Sequence, residues 1–227
     1  MAFVRDAGDI VTSSPTCYRE GFKENWHGEL VEYDAAAARD VAVWRKGQRE
    51  RLLEWRQAMP NQERLSHAAK VCAQLLERIK PNADHVISTY WPFKGELDLR
   101  PFMEAAMGAG ATIVLPVVVQ KNAPLVFRRW TSEAKMERGI WNILQPVAPK
   151  AFVPNVVIAP LVGFDLDGFR LGHGGGYYDR TLASFAEQPT RIGVGCAAQQ
   201  LKTIYPQPHD VPMDSILLPN GLIRNVK

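Results

Sequence analysis

A glycine-rich segment at positions 164–180, FDLDGFRLGHGGGYYDR, holds the densest group of residues that could do chemistry in this chain. It follows a strongly apolar run and precedes a stretch with helical patterning, and open α/β sheets bind ligands at the carboxyl ends of their strands. Its closely spaced glycines are Gly172, Gly174, Gly175 and Gly176. Glycines let the backbone approach a ligand and direct N–H groups at it, and a helix beginning near Tyr177 would add its positive end. The segment therefore predicts a cradle for an anion such as a phosphate.

Neither of the two common phosphate-binding loops fits this segment. A P-loop requires a lysine followed by serine or threonine after its glycines, and no such pair follows here. The dinucleotide fingerprint GxGxxG requires a third glycine that is misplaced here, and no early position in the chain provides the pattern. A plain flexible turn is the simpler alternative. It would not require the charged and aromatic residues around the glycines, which include Arg170, His173, Tyr178 and Asp179.

Basic residues on a predicted N-terminal helix are a second candidate for anion binding. Arg45 and Arg49 are four residues apart, which places them on one helical face. A basic face requires either an anion or a solvated surface, and our hypothesis is that Arg45 contacts a terminal phosphate. The apolar positions expected to form the buried stripe of this helix are Val41, Trp44, Leu52 and Trp55.

Composition and charge exclude several classes of protein. The chain has 227 residues, of which 46% are hydrophobic and 22% charged, which suits one sizeable α/β domain and excludes a low-complexity disordered chain. No apolar run approaches the roughly 18 residues of a membrane span. The formal net charge of +3 permits an anionic ligand but is too small for a nucleic-acid footprint. We therefore expect neither a membrane nor a nucleic acid as a partner.

The cysteines and the N-terminus indicate a compartment. Cys17, Cys72 and Cys196 are far apart and form no CxxC pair, so buried free thiols are expected rather than a zinc site or a disulfide framework. The beginning of the chain lacks the apolar core of a secretory signal. Both observations predict a reducing, cytoplasmic location.

The elements that would position the candidate residues alternate between helix and strand. Residues 1–34 are expected to form an N-terminal extension, partly ordered at best, with Trp26 and Tyr33 docking on a domain that spans residues 35–227. Helices are predicted over residues 35–59, 61–80, 97–109 and 177–186. Strands are predicted over residues 85–91, 112–118, 125–130, 156–162 and 192–196. The pattern indicates a single α/β domain with a mostly parallel central sheet flanked by helices, a Rossmann-like three-layer architecture.

The glycine-rich segment resembles the loop of the 5-formyltetrahydrofolate cyclo-ligase family, also called the methenyltetrahydrofolate synthetases. The family's loop has the form FDxxGxRLGxGGGYYD, and residues 164–179 fit it throughout. Three weaker matches lie in the expected order along the chain: GELD at 95–98, WNI and QP within 141–146, and PHDVPMD at 208–214. The resemblance covers residues 41–224.

The resemblance implies an ATP-dependent ring closure. Members of the family convert 5-formyltetrahydrofolate to 5,10-methenyltetrahydrofolate and release ADP and phosphate, with Mg²⁺ bridging the phosphates. The formyl oxygen attacks the γ-phosphate, N10 closes the ring on the phosphorylated imidate, and phosphate leaves. The expected partners are therefore ATP and a reduced folate, bound by a monomer or a weak homodimer.

Carried over residue by residue, the resemblance assigns three sets of side chains. ATP is assigned to Arg45, Arg49, Arg170, Leu171, Gly172, His173, Gly174, Gly175, Gly176, Tyr177 and Tyr178. The folate is assigned to Glu96, Trp141 and Tyr177. Mg²⁺ is assigned to Asp179 and Asp214, which offer the hard oxygen ligands that this ion prefers. Arg45 stands where the family has lysine, and His173 occupies a variable position of the loop.

Three hypotheses about function follow from these patterns. The first is the cyclo-ligase, the second is a paralogue with the same ATP-binding fold acting on another substrate, and the third is a non-catalytic protein that binds a nucleotide or a folate. The carboxylates of Asp179 and Asp214 favour an enzyme, because simple anion binding does not call for them. The structural alternatives for single residues are a core position for Trp141, a solvated helix start for Glu96 and a cap or turn for Asp214.

Overall fold

A computed structural model describes residues 21–224, so the predictions for residues 1–20 and 225–227, including Cys17, lie outside the described residues. The helices of this range are α1 (Ala35–Ala58), α2 (Asn61–Ile79), α3 (Arg100–Gly108) and α4 (Tyr177–Ala183). All four helix predictions are confirmed, but α3 begins three residues later and α4 ends three residues earlier than expected. Short 3-10 turns occur at Ile140–Asn142 and Ala197–Gln199. Among the described residues, no helix combines the length and the apolar composition that a membrane span needs.

The strands of the described residues are β1 (Phe22–Glu24), β2 (Leu30–Glu32), β3 (Val86–Ser88), β4 (Thr112–Val117), β5 (Val126–Arg129), β6 (Met136–Arg138), β7 (Leu144–Pro146), β8 (Ala151–Phe152), β9 (Val156–Pro160), β10 (Gly163–Phe164), β11 (Arg170–Leu171), β12 (Thr190–Val194), β13 (Ser215–Leu218) and β14 (Gly221–Arg224). Eight of them form one sheet in the order β14-β13-β12-β9-β3-β4-β5-β8. The central run from β13 to β4 is parallel throughout, and β14, β5 and β8 are antiparallel additions at the two edges. The predicted central sheet is therefore confirmed.

Helices cover both faces of this sheet. On one face, α2 and α3 contribute Leu75 and Phe102 to an apolar cluster in which both side chains are fully buried. On the other face, Leu182 of α4 belongs to a second cluster. Strand β9 supplies both, because Ile158 belongs to the first cluster and the next residue, Ala159, belongs to the second. This alternation is what a strand covered on both sides requires, and it agrees with the predicted three-layer architecture.

Helix α1 begins at a side-chain cap and ends at a proline. The Asp34 carboxylate accepts hydrogen bonds from the N–H groups of Ala36 at 2.7 Å and Ala37 at 3.1 Å. Pro60 follows the C-terminal end and cannot continue the helix.

The buried face of α1 contains the predicted Leu52 and also two arginines that apolar periodicity does not predict. Arg45 and Arg56 are only 7% and 4% exposed, beside the fully buried Leu52. The reason is that α1 packs on backbone that follows β9, where the carbonyl of Leu161 accepts a hydrogen bond from Nη1 of Arg56 at 3.1 Å. Arginines can be buried when such acceptors are present. The other members of the predicted stripe are half-buried: Val41, Trp44 and Trp55.

Part of the predicted N-terminal extension forms a hairpin on the body of the domain. Strands β1 and β2 pair antiparallel, and the connection between them carries Trp26. The backbone N–H of Trp26 donates to the carbonyl of Pro208 at 3.0 Å, and the guanidinium of Arg191 lies 5.3 Å from the Trp26 ring centre. The predicted second docking residue, Tyr33, instead contacts Lys23 of the hairpin itself, with Nζ 3.7 Å from the ring centre. The domain boundary after residue 34 stays a prediction.

Candidate active site

A cavity of about 440 Å³, which we call the main cavity, lies where the central parallel strands end. Its walls come from α1, the chain after β3, the turn at Ile140–Asn142, the glycine loop between β11 and α4, and the chain before β13. This volume is in the range of small-molecule sites. All the residues that sequence analysis assigned to ATP, the folate or Mg²⁺ line the main cavity, except Asp214.

Side chains pack tightly against the glycine loop, which we define as residues 172–176. A Cβ at Gly172 would lie 2.7 Å from Nη1 of Arg170, and a Cβ at Gly175 would lie 2.8 Å from the Tyr177 ring. Two of the other glycines have φ values of 96° and 62°, in a region that L side chains rarely adopt. The glycines thus serve both the turn and the close packing of Arg170 and Tyr177.

Arg170 supplies a fixed positive charge beside the loop. Its Nη2 donates to the Asp179 carboxylate at 2.9 Å, and its guanidinium lies 5.0 Å from the ring centre of Tyr178. The other oxygen of Asp179 accepts from the backbone N–H of Val211 at 3.3 Å. Within residues 21–224, the enclosed Nε of Arg170 has no hydrogen-bond partner. Arg170 and Asp179 therefore hold each other in place while both face the main cavity.

Two tyrosine hydroxyls of the main cavity differ in whether a described residue accepts a hydrogen bond from them. The Tyr90 hydroxyl donates to the carbonyl of Leu97 at 3.0 Å. The Tyr178 hydroxyl is enclosed, yet no described residue accepts a hydrogen bond from it. Burial, reinforced by the charge of Glu96, raises the pKa of Tyr178 above its usual range, so the phenol stays protonated near neutral pH. It is a hydrogen-bond donor that a ligand in the main cavity can satisfy.

Arg45, which sequence analysis placed on a terminal phosphate, is held by the protein instead. Its guanidinium pairs with the Asp210 carboxylate and donates to the carbonyl oxygens of Ile204 and Tyr205, each at 2.9 Å. The paired side chains are only 9% and 8% exposed. A buried pair of this kind loses much of its stability when one partner is removed, so Arg45 fastens α1 to the chain before β13.

Arg49 is the cation that α1 presents to the glycine loop. Its Nε donates to the carbonyl of Gly172 at 2.9 Å, and a Cβ at Gly174 would lie 3.4 Å from its Cζ. Burial, and then the charge of Arg45, lowers the pKa of Arg49, while Asp210 raises it. Neither Nη atom makes a hydrogen bond or an ion pair with the residues that the structure describes. A half-buried guanidinium with free donors beside a glycine loop favours an anionic ligand.

Glu96 lines the main cavity and is buried, with 7% of its surface exposed. One of its oxygens accepts from the backbone N–H of Phe93 at 3.0 Å. The other lies 3.6 Å from Nη2 of Arg56 and 3.2 Å from Nε2 of His173. A solvated helix start is therefore wrong for Glu96. His173, which sequence analysis assigned to ATP at a variable position of the loop, links the glycine loop to this carboxylate.

Aromatic and apolar side chains form the remaining wall of the main cavity: Tyr90, Trp91, Phe93, Leu115, Val118 and Ile140. Trp141 lies at the mouth with 55% of its surface exposed, edge-on to Tyr177 with 5.4 Å between ring centres. A core position is therefore wrong for Trp141. Its φ of 58° is rare for an aromatic residue and turns the ring toward the cavity mouth rather than into the apolar interior. A flat, largely apolar ligand suits this wall.

Asp214 is the predicted site residue that the structure does not bring to the main cavity. Its carboxylate accepts from the backbone N–H of Arg191 at 2.8 Å and from Nε of the same residue at 3.1 Å. The prediction of Asp214 as a magnesium ligand is corrected on this ground, because Asp214 does not line the main cavity that contains Asp179. The alternative of a structural residue at the turn before β13 describes Asp214 better.

The polar residues among the lining residues that sequence analysis missed include Tyr90, Lys94 and Asp210. Asp210 lies in PHDVPMD, the segment that also contains Asp214, so the segment was recognised but the carboxylate that lines the cavity was not. Lys94 directly precedes GELD, and its carbonyl accepts from Nε of Arg56 at 2.9 Å. Tyr90 lies just after β3, where a ligand-facing residue of a parallel strand is expected.

The carboxylates of the main cavity fit a shared magnesium site but not one made by the protein alone. In the part of the chain that the structure describes, no three His, Cys, Asp or Glu side chains cluster as a metal site. Asp179 and Asp210 both line the cavity, and they are neighbours because Val211 donates to Asp179. Mg²⁺ is usually held by one or two carboxylates together with phosphate oxygens and waters, so this pair fits an ion that arrives with a nucleotide.

The protein is thus an α/β protein in which a glycine loop, arginines and an aromatic wall line one cavity. The chain belongs to the 5-formyltetrahydrofolate cyclo-ligase family, because the model of that family matches residues 41–219. This match confirms the resemblance that the glycine-rich segment carries, and it makes the chain a ligase.

Relatives and solved structures agree with the family. The 5-formyltetrahydrofolate cyclo-ligase of Escherichia coli (strain K12) is 32% identical over 146 residues, which cover 60% of this chain and 79% of the relative. The enzyme of the same name from Haemophilus influenzae is 31% identical over 145 residues, 58% of this chain and 74% of the relative. The NMR structure of Aquifex aeolicus 5,10-methenyltetrahydrofolate synthetase superposes with a TM-score of 0.68 at 28% identity, covering 81% of this chain and 93% of that one.

Proposed function

We propose that the main cavity brings the triphosphate of ATP against 5-formyltetrahydrofolate, and that the chain closes this folate to 5,10-methenyltetrahydrofolate with release of ADP and phosphate. The observation that carries the proposal is the meeting of two unlike walls in one cavity. Arg49 and the glycine loop line the same cavity as an aromatic wall and the buried Glu96. Membership of the cyclo-ligase family supports the same reaction.

The phosphate side depends on position and charge rather than on covalent help from the protein, as is usual in phosphoryl transfer. The N–H groups of residues 172–176 and the free Nη atoms of Arg49 offer donors to the phosphate oxygens. Arg170 adds a positive charge that Asp179 holds in place at 2.9 Å. These donors neutralise charge on the γ-phosphate and orient it toward the aromatic wall.

The folate side supplies an acceptor and flat faces. The Glu96 carboxylate suits the N–H groups of a pterin, because Phe93 and His173 fix its two oxygens and leave further lone pairs free. Trp141 and Tyr177, at the cavity mouth, offer ring faces to the folate. Bound in this way, the formyl group of the folate faces the glycine loop.

The reaction then balances in two steps. The formyl oxygen forms a bond to the γ-phosphorus, and the bond from this phosphorus to ADP breaks. N10 then bonds to the formyl carbon and loses its proton, and the carbon–oxygen bond breaks to release phosphate. The phosphorylated imidate between these steps is a far better electrophile than the original amide, which is what ATP contributes.

Magnesium fits this scheme as a companion of the nucleotide. When bound, Mg²⁺ neutralises charge on the phosphates. Asp179 would hold it, with Asp210 beside it. The Arg170 contact fixes the orientation of the Asp179 carboxylate.

The same proposal covers partners and location. ATP and a reduced folate are the partners, and the cytoplasm is the compartment. The thiols of Cys72 and Cys196 are buried and free, which supports a reducing environment. The expected monomer or weak homodimer stays a prediction, as does the expectation that neither nucleic acid nor membrane is a partner.

The test is turnover by the purified chain with ATP, Mg²⁺ and 5-formyltetrahydrofolate, followed by the absorbance of the methenyl product. We expect methenyl product, ADP and phosphate in equal amounts, and no product without ATP. Hydrolysis of ATP without methenyl product would contradict the proposal and favour the paralogue. Binding of both ligands without turnover would contradict it in favour of the non-catalytic protein.

A further inference from the structure

A second cavity of about 300 Å³, which we call the hairpin cavity, adjoins the glycine loop. One wall contains Gly174, Gly175, Gly176, Asp179 and His209, all of which also line the main cavity. The opposite wall is the N-terminal hairpin, through Glu24, Asn25 and Trp26. The glycine loop is therefore a partition with a cavity on each side of it.

The hairpin wall lies outside the part of the chain that matches the family, which begins at residue 41. It is nevertheless well anchored. Trp26 packs against the apolar cluster that contains Leu182, donates its backbone N–H to Pro208 at 3.0 Å and covers the guanidinium of Arg191. The wall that the hairpin contributes to this cavity is therefore held in place by contacts with the rest of the domain.

The size of the main cavity argues that one substrate extends beyond it. A volume of about 440 Å³ lies toward the lower end of the range for a single drug-sized ligand, and ATP and a folate are both ligands of that size. The aromatic wall and Glu96 suit the folate. If the γ-phosphate lies at the glycine loop, the nucleoside must leave the main cavity past that loop.

The hairpin cavity offers groups that suit a nucleoside and its first phosphate. Among the described residues, nothing pairs with the Glu24 carboxylate, which can accept hydrogen bonds from ribose hydroxyls. Arg180 lines the cavity, and its enclosed Nε likewise finds no partner within residues 21–224. The His209 side chain, 71% exposed, presents a ring to both cavities that a base can stack on.

We propose that the hairpin cavity binds the nucleoside end of ATP, so that the N-terminal hairpin is part of the nucleotide site. The inference rests on the proposed function, since it assumes that ATP is the nucleotide. The ribose lies against Glu24 and the α-phosphate against Arg180. The chain of phosphates passes the glycine loop, and the γ-phosphate reaches Arg49 in the main cavity.

Binding of ATP and of inorganic tripolyphosphate, each measured with Mg²⁺, distinguishes the contributions of the two cavities. Tripolyphosphate has no nucleoside, so it cannot make the contacts proposed for the hairpin cavity. Calorimetry would compare the full chain with Glu24→Ala and with Glu32→Ala, a matched loss of an exposed carboxylate from the same hairpin. A lost charged hydrogen bond predicts that Glu24→Ala weakens ATP about tenfold. Tripolyphosphate should be unaffected, and Glu32→Ala should change neither ligand. Equal weakening of both ligands by Glu24→Ala, or no change in ATP, would overturn the proposal.

Kinetics of Glu24→Ala and Trp26→Ala give an independent readout and separate this inference from the proposed function. Contacts far from the reacting atoms act on ground state and transition state alike, so the KM for ATP should rise while kcat and the KM for the folate stay unchanged. Wild-type turnover with an unchanged KM for ATP in both variants would overturn the nucleoside site alone. Absence of wild-type turnover would overturn the proposed function, while the calorimetric comparison would still decide the nucleoside site.

Discussion

At the level of single residues, the arginines around the main cavity differ in the carboxylates and carbonyl groups that their guanidinium groups bind. Arg45 is paired with Asp210, and Arg170 with Asp179. Arg56 donates to backbone carbonyls and lies 3.6 Å from Glu96, although burial lowers its pKa. Arg49 alone among these four keeps both Nη atoms free of the residues that the structure describes. Arg49 is therefore the arginine of these four with the most donors left for an anionic ligand.

Arg49→Ala should consequently lose affinity for phosphates, whereas Arg45→Ala should lose stability. Arg49→Ala removes free donors, so we expect ATP and tripolyphosphate to bind at least tenfold more weakly, AMP to change little, and the melting temperature to stay close to that of the wild type. Arg45→Ala leaves the buried Asp210 carboxylate without its partner, so the fold should lose about 3–5 kcal/mol. Calorimetric titration and thermal unfolding at one fixed salt concentration measure both effects. A stable Arg45→Ala with weak ATP binding would reverse the two roles.

Glu96→Gln should weaken the folate and spare the nucleotide. The variant keeps the size of the side chain but removes the charge that a pterin N–H would meet, so we expect 5-formyltetrahydrofolate to bind about 10- to 150-fold more weakly. Separate titrations with the folate and with ATP check this. A comparable loss of ATP affinity would show that Glu96 belongs to the phosphate side of the cavity.

The residue types of the site could be predicted from the sequence, but their pairing could not. The glycine loop, Glu96, Trp141 and Asp179 were found because each lies in a short local motif. The partner of Arg45 is 165 residues away, and spacing along one helix carries no information about such a distant acceptor. For the same reason, Asp214 and Asp210 could not be told apart, since only the fold shows which carboxylate Arg191 occupies.

At the scale of elements, the site depends on how α1, the glycine loop and α4 pack around the strand ends. The long elements were predictable because their apolar periodicity is sustained over many residues. The two- and three-residue strands β6, β7, β10 and β11 were not, since so few residues show no period. The β1–β2 hairpin was missed too, because its strands are three residues each and mostly exposed.

Gly172→Ala tests whether the glycine loop must pack on Arg170. The added Cβ would lie 2.7 Å from Nη1 of Arg170, so this guanidinium must shift from the position in which its Nη2 donates to Asp179. Overpacking of this kind destabilises by about 1–3 kcal/mol, and we expect kcat/KM to fall about tenfold or more. Gly47→Ala in α1 is the control, because a Cβ there meets nothing within 4 Å and should slightly stabilise the helix. Normal turnover by Gly172→Ala would show that activity does not depend on the close packing of Arg170 against Gly172.

At the scale of the whole molecule, one tightly packed body carries both cavities and encloses groups that would otherwise react. Burial raises the pKa of Cys72 and that of Cys196 to about 11 each. Both residues belong to the apolar cluster under α2 and α3, with 5% and 6% of their surfaces exposed. A thiol is nucleophilic only as the thiolate, so these two should be inert while the fold is intact.

Thiol reactivity therefore reports on the integrity of the folded body. In a Cys17→Ser background, Cys72 and Cys196 should react with a disulfide reagent at pH 8 at least a hundredfold more slowly in the native protein than in denaturant. The rate at which the reagent releases its own thiolate measures the reaction in the native and in the denatured protein. Rapid native reaction of either thiol would mean that the cluster opens easily, which this packing does not allow.

The proposed reaction requires that the main cavity bring the formyl oxygen of the folate to the γ-phosphate of ATP. Single turnover with 5-formyltetrahydrofolate labelled with oxygen-18 in the formyl group tests it most directly, with mass analysis of the released phosphate. We expect the label in phosphate and not in ADP, because the formyl oxygen stays bonded to the γ-phosphorus when the carbon–oxygen bond breaks. Methenyl product accompanied by unlabelled phosphate would rule out this reaction, since ring closure would then proceed without transfer of the phosphoryl group to the folate.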